Sequence, residues 1–216
     1  MATPTTRTSV RRRPERGAYD RTQIDGILDE GLICHAGFLD GGCPVVIPMG
    51  FARRGDHLLM HGSTASRMMR LLAAGAEVCV TVTLLDGLVL ARSAFHHSMN
   101  YRSVVVFGRC TEIVDPESKT EALRAISEHL VPGRWAEVRP PSAQELKATR
   151  VLALPINEAS AKIRKGGPID DQEDMALVVW AGVLPLALVP GDPVPDGEVP
   201  RAVPHYITGY TRRPSS

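Results

Sequence analysis

The chain is poor in the motifs that settle a function quickly, and each absence removes a class. No Gly-x-Gly occurs among its 19 glycines, which disfavours the glycine turn of a Rossmann dinucleotide site. No Gly-x4-Gly-Lys-Ser/Thr stretch supports a P-loop. His-Glu-x-x-His and Cys-x-x-Cys are both missing, so no zinc spacing is present and no metal site is expected. The four cysteines, Cys34, Cys43, Cys79 and Cys110, read as reduced thiols. Excess charge of one sign is lacking as well. The formal net charge of +1 implies no bulk attraction to nucleic acid or to a membrane. The longest apolar run, Met175 to Val189, is too short to cross a bilayer and contains Pro185. The basic stretch RRRPERG is not followed by an apolar segment, so no export signal is read and a cytoplasmic protein is expected.

What is present fits one domain with appendages. Residues 1–18 are polar and Arg-rich and read as a disordered basic tail. Asp20 caps a helix with Ile24, Ile27, Leu28 and Leu32 on one face. LICHAGF, DGG and PVVIPMGF form a hairpin, and RRGD leads into the short strand HLLMH. Helix is expected over Thr64–Ala74, and EVCVTVTL alternates as a half-buried strand. DG at 86–87 reads as a tight turn into LVLARS. RSVVVFGRCTEIV (102–114) is a long strand, and Lys119–Val131 a helix. Ser142 and Glu145 form a capping box, and VLALPINE (151–158) is the last clear strand. Residues 19–165 form the domain. Residues 166–216, acidic and then Pro-rich, form an extension wrapping the domain or a neighbour. Many short strands with few helices imply a mainly β antiparallel barrel.

Two stretches carry chemistry. In HGSTASRMMRLLAAG (61–75), Met68, Met69 and Leu72 make the core stripe. Gly62 permits close backbone approach, Ser63, Thr64 and Ser66 supply hydroxyls, and Arg67 supplies a planar donor fork. Those are the parts of a phosphate site. They are also what an ordinary capped helix with a solvated Arg looks like. In FHHSMNYRSVVVFGR (95–109), Arg102 enters an apolar strand, a costly place for an unpaired charge. It either reaches solvent or is held against an anion. His96 and His97 point to opposite faces of an extended chain and do not form a metal pair.

Taken together, HGSTASRMMRLLAAGAEVCVTVTLLDGLVLARSAFHHSMNYRSVVVFGR and the later NEASAKIRKG resemble the pyridoxamine phosphate oxidase-like FMN-binding split β-barrel proteins. They are most similar to the branch that contains the nitroimidazole-resistance reductases. The resemblance runs from about residue 20 to 165. It implies a six-stranded antiparallel split barrel of Greek-key character, a homodimer with FMN at the interface, and flavin-dependent reduction of a small acceptor. His61, Gly62, Ser63, Ser66 and Arg67 match the phosphate-binding segment. Tyr101, Arg102 and Ser103 match a second cofactor-contacting segment. Ile47, Pro48 and Met49 lie on the strand that runs past the flavin ring, and Lys162 matches a late basic residue. His61 is the catalytic candidate, or a hydrogen-bonding neighbour of the cofactor. No His has Arg two positions before it, which departs from the substrate grip of the true oxidases and argues against vitamin B6 oxidation. A non-catalytic flavin module, or a barrel using haem or the deazaflavin F420, stays open, as does Trp180 either covering a partner's flavin or packing in the interface.

Overall fold

Turn and cap chemistry sets most of the boundaries in the computed structural model, which describes residues 4–197 and 202–211. Gly17–Ala18 forms a short edge strand, β1. Helix α1, Arg21–Glu30, starts where the Asp20 carboxylate accepts the Gln23 N–H, and it buries Ile24, Ile27 and Leu28. Strands β2 (Ile33–Asp40) and β3 (Cys43–Arg54) follow. They join through Gly41 and Gly42, whose φ values of 56° and 87° are those of a two-residue hairpin turn. Gly55 makes the same provision before β4, His57–Ser63.

Helix α2 spans only Arg67–Ala73. The expected start at Thr64 is three residues too early because Ser66 stays extended and caps the helix with its own hydroxyl. Strand β5 runs unbroken over Glu77–Leu90. The turn expected at Asp86-Gly87 is a β-bulge between Leu85 and Gly87 instead. Asp86 is drawn sideways to Arg102. Gly87 admits a neighbouring strand so closely that a Cβ there would lie 3.0 Å from the Leu184 carbonyl oxygen.

Strand β6 is Ser98–Arg109, and Cys110 separates it from β7, Thr111–Glu112. Helix α3, Pro116–Leu130, begins earlier than expected, with Asp115 as cap and Pro116 at the first turn. Helix α4, Ala143–Ala148, has the expected capping box. Strand β8 is Thr149–Pro155 and β9 is Glu158–Arg164. Strand β10, Gly182–Pro185, and a one-turn helix α5, His205–Thr208, complete the described elements.

The strands form one sheet of ten in the order β1-β9-β6-β5-β2-β3-β4-β8-β7, with β10 paired to β5. The fold is mainly β and antiparallel, as expected, with ten strands in place of six. The extra strands β1, β7 and β10 are two to four residues long and carry little alternating pattern. The seventh long strand, β9, is Ala/Ser-rich and lacks a strong strand signal.

One core fills the barrel and includes Phe51, Leu58, Met60, Leu152 and Leu154. A second, smaller one joins Leu59, Ala52 and Val151 to Ala122 and Ile126 of α3. Strand β4 is therefore buried on both sides, and each fully buried Leu contributes about 1.5–3 kcal/mol.

Residues 4–18 are not a free tail. Thr5 Oγ1 donates to Glu158, and Arg7 pairs with Glu158 and Glu77 while lying over the Phe107 ring. The Val10 N–H donates to the Tyr19 hydroxyl at 2.9 Å.

Candidate functional site

The site begins with a change of partner along β3. Residues 43–50 pair with β2, and residues 51–54 pair with β4. Beyond Met60, β4 continues against β8 alone, with His61 opposite Val151 and Ser63 opposite Thr149. The barrel is thus split between residues 47–50 of β3 and residues 61–63 of β4. Among the described residues no strand pairs the β3 edge that faces this split. Ile47 and Met49 pack their side chains against the core, and Pro48 is exposed. Backbone polar groups, not side chains, are what this edge offers a ligand. Pro44 and Pro48 have no N–H to template a further strand.

His61 stands at the mouth of the split. Its ring opens into a recess of ≈ 520 Å³ with Leu123, Ile126, Leu130, Trp135 and Arg139 among its walls. The residue keeps solvent access, yet the surrounding walls strip enough water from the imidazole to push its pKa below the ordinary value. Desolvation therefore favours the neutral form of the ring, the form that can accept a proton or ligate a metal. At the rim, Arg139 grips Glu145 through two bonds of 2.7 and 2.6 Å. That grip and the Ser142 N–H hold the Glu145 carboxyl down to about 2.

The expected phosphate segment is differently employed. A Cβ on Gly62 would lie 2.9 Å from Met69 Cγ, so its close neighbour is α2. Ser63 Oγ accepts the Ala65 N–H, and Ser66 Oγ accepts the Met69 N–H. Arg67 is exposed and pairs with Asp40 of the β2–β3 hairpin at 2.7 Å.

Arg102 departs further from expectation. Its anion is internal: two bonds reach Glu30 and others reach Asp86 at 2.7–3.2 Å, which raises its pKa. A guanidinium satisfied by two carboxylates has no free charge for a phosphate. Ser103 Oγ donates to the Lys162 carbonyl at 3.3 Å, and Tyr101 lies half-buried beside it.

The expected cofactor residues therefore fall into two clusters. His61 to Arg67 lie at the split, and Tyr101, Ser103 and Lys162 lie on β6 and β9, three and four strands beyond β3 in the sheet. Sequence reasoning missed Trp135, Leu123 and Ile126 as recess walls and Asp40 as the partner of Arg67. Only the Ser142/Glu145 capping box hinted that residues 135–145 form a wall. Among the described residues no group of three His, Cys, Asp or Glu side chains could hold a metal ion. Among the described residues no helix is long and apolar enough to cross a membrane.

The sequence profile of the family described as pyridoxamine 5'-phosphate oxidase matches residues 20–163. The chain belongs to this family. Two solved structures resemble this family member over nearly all of its length. One is the flavocytochrome Anf3 from Azotobacter vinelandii, with 41% identity, a TM-score of 0.91 and coverage of 98% of this chain and 99% of that one. The other is an FAD and haem binding protein from Mycobacterium smegmatis, with 40% identity, a TM-score of 0.87 and coverage of 91% and 97%. A candidate 5-nitroimidazole antibiotic resistance protein from Bacteroides thetaiotaomicron VPI-5482 is similar at 26% identity and a TM-score of 0.58, over 68% of this chain and 86% of that one. No curated protein matches.

Proposed function

We propose that this family member is a flavin-binding oxidoreductase that works as a homodimer. The observation that carries the reading is the split itself, where an unpaired strand edge, an apolar recess and a neutral imidazole converge. That donor set suits a flat heteroaromatic ring with a polar edge. FMN is the flavin that the resemblance implies. The two full-length relatives, named a flavocytochrome and an FAD and haem binding protein, support a flavin of either length.

A flavin supplies hydride and single-electron transfer. The chain's own residues would bind and orient it. The backbone of Ile47, Pro48 and Met49 would hydrogen-bond the ring edge. Ser63, Ser66 and Arg67 would meet the phosphate end, with Arg67 turning from Asp40. Leu123, Ile126 and Trp135 would keep water away. His61 would hold or accept a proton at a ring nitrogen.

The second copy is supported by two features. The residues of the family's cofactor segments are divided between two clusters of one chain, at the split and on β6 and β9. The stretch around β10 also leaves Val178, Val179, Trp180 and Leu184 at 50–102% exposure, more apolar surface than an isolated domain keeps.

A second reading adds haem. His61 favours it, because its neutral ring opens into an apolar recess while His96 bonds Asp171 and His97 accepts the Ala91 N–H. One spectrum tests both readings. The purified full-length chain is expected to keep flavin bands through desalting, and a Soret band appears if haem is held. Arg67→Ala should lose flavin on desalting with an unchanged circular dichroism spectrum. A colourless protein that ignores added FMN and FAD sinks the flavin reading. A flavin-retaining Arg67→Ala sinks the phosphate assignment.

A further inference from the structure

Arg164 is the one fully buried arginine among the described residues, 5% exposed. Its guanidinium meets only neutral acceptors. Nη1 donates to Asn100 Oδ1 and to the Gly166 carbonyl, and Nη2 donates to the Gly167 carbonyl. Nε is buried with no partner. Among the described residues no carboxylate pairs with it. Four other largely enclosed arginines each have one: Arg53 meets Asp29, Arg92 meets Asp170, Arg102 meets Glu30 and Asp86, and Arg150 meets Glu112. Neutral acceptors satisfy the N–H groups of Arg164 but leave its net charge unanswered, and a buried charge without a counter-charge is costly. Arg16 adds to the imbalance. Burial and the nearness of Arg16 both push the Arg164 pKa down, and only Tyr101 pushes it up.

The unanswered charge lies beside the second cofactor cluster. Arg164 ends β9 and stands opposite Tyr101 of β6 in strand register, as Lys162 stands opposite Ser103. Paired Cα atoms of antiparallel neighbours are about 4.5–5.5 Å apart. Arg164 also holds Asn100, whose Nδ2 donates to the Gly166 carbonyl at 3.1 Å. It thereby steadies the backbone that presents Tyr101, a residue matched to a cofactor-contacting segment. A charge enclosed by protein is screened less than a solvated one, so its field reaches further. Two-electron reduction of a flavin with uptake of one proton leaves one negative charge on the ring. That is the charge the arrangement lacks, and it arrives only on reduction.

We infer that Arg164 is a fixed positive charge that stabilises the reduced, anionic form of a flavin held against Tyr101, and so raises the reduction potential of that flavin. The inference deepens the flavin reading and rests on it. No bond from Arg164 to the cofactor is needed. The charge acts through space, and Arg16 reinforces it. This role is separate from holding the chain at Gly166 and Gly167, which depends on the shape of the guanidinium fork and not on its charge.

The test is the midpoint potential of FMN bound to the full-length protein, with FAD as a second probe. It is measured by dithionite titration against a reference dye in the wild type and in Arg164→Gln, Arg164→Lys and Arg16→Gln variants. Arg164→Gln removes the charge. It should weaken the binding of reduced flavin relative to oxidised flavin by about tenfold, a fall of about 30 mV for a two-electron couple. Arg164→Lys loses the fork but keeps the charge, so that ratio should stay within about twofold of the wild type. Arg16 is only partly buried, and Arg16→Gln should move the ratio the same way by about threefold, less at high salt. An unchanged potential in Arg164→Gln overturns the inference and leaves the flavin reading standing. So does an equal fall in Arg164→Lys and Arg164→Gln, because the fork and not the charge would then matter. If Arg164→Gln fails to fold or to hold flavin, Arg16→Gln decides: a fall in potential keeps the inference, and no change removes it. A wild type that holds neither flavin fails the flavin reading, and the inference falls with it.

Discussion

At the scale of single residues, charges and rings are held in positions that make definite demands. Arg102 is the clearest case. Its side chain is 17% exposed and joins Glu30 on α1 to Asp86 at the β5 bulge. Arg102→Leu would leave two carboxylates facing each other with no cation between them. The cost is expected to be about 3–5 kcal/mol in urea unfolding, the range for breaking a buried pair by removing one partner. His61 makes the opposite demand. Burial lowers its pKa from an ordinary 6.5, so the folded state prefers the neutral ring. Its contribution is complete above pH ~6.5 and is lost as the pH falls below that, toward the folded value. Wild-type stability should drop as the pH falls below about 6.5, and His61→Leu should flatten that part of the profile. An unaltered profile in the variant would place the acid sensitivity elsewhere.

At the scale of elements, helix α3 closes the recess over β4, so its stability bears on the site. The Asp115 carboxylate accepts the Ser118 N–H at 2.8 Å, which lowers the carboxyl pKa, and Pro116 fixes the first turn. Asp115→Ala should cost about 1 kcal/mol, read as a lower unfolding midpoint at unchanged slope. Asp115→Asn should recover most of it. The strands carry a different lesson. Pairs such as Asp40-Gly41-Gly42 and Asp86-Gly87 look alike as turn signals, yet only the first is a turn. The second is bypassed because Gly87 touches β10 and Asp86 answers Arg102, two partners far away in the chain. Buried Arg164 is a similar case. It holds Asn100 and the carbonyls of Gly166 and Gly167, so it pins the start of the C-terminal extension.

At the scale of the whole molecule, apolar surface and a divided site point the same way. Val178 and Trp180, 102% and 69% exposed, join neither core among the described residues. We expect the full-length protein to elute as a dimer in size-exclusion chromatography with light scattering. A Val178→Asp/Trp180→Asp variant should shift toward monomer and lose flavin with it, as a cofactor site shared between two copies, the arrangement proposed above, requires. A monomeric variant that still retains flavin would show the site to be complete within one chain.

The sequence by itself determined the local order. Caps at Asp20 and Ser142, hairpin glycines at 41–42, alternation along β5 and the family segments at 61–67 and 101–103 are all short-range signals. The forces behind them act between residues a few positions apart, so a linear reading recovers them. Tertiary structure decided what those residues face. Arg102 meets carboxylates rather than a free anion. Gly62 makes room for Met69 rather than for a ligand. Arg7 pairs with Glu158 and Glu77 on the barrel rather than standing free in a tail. Each of those outcomes depends on strands and helices distant in sequence being brought within a few ångströms. The split that makes the site is of the same kind: it exists because β3 exchanges one partner strand for another, and no run of residues announces that exchange.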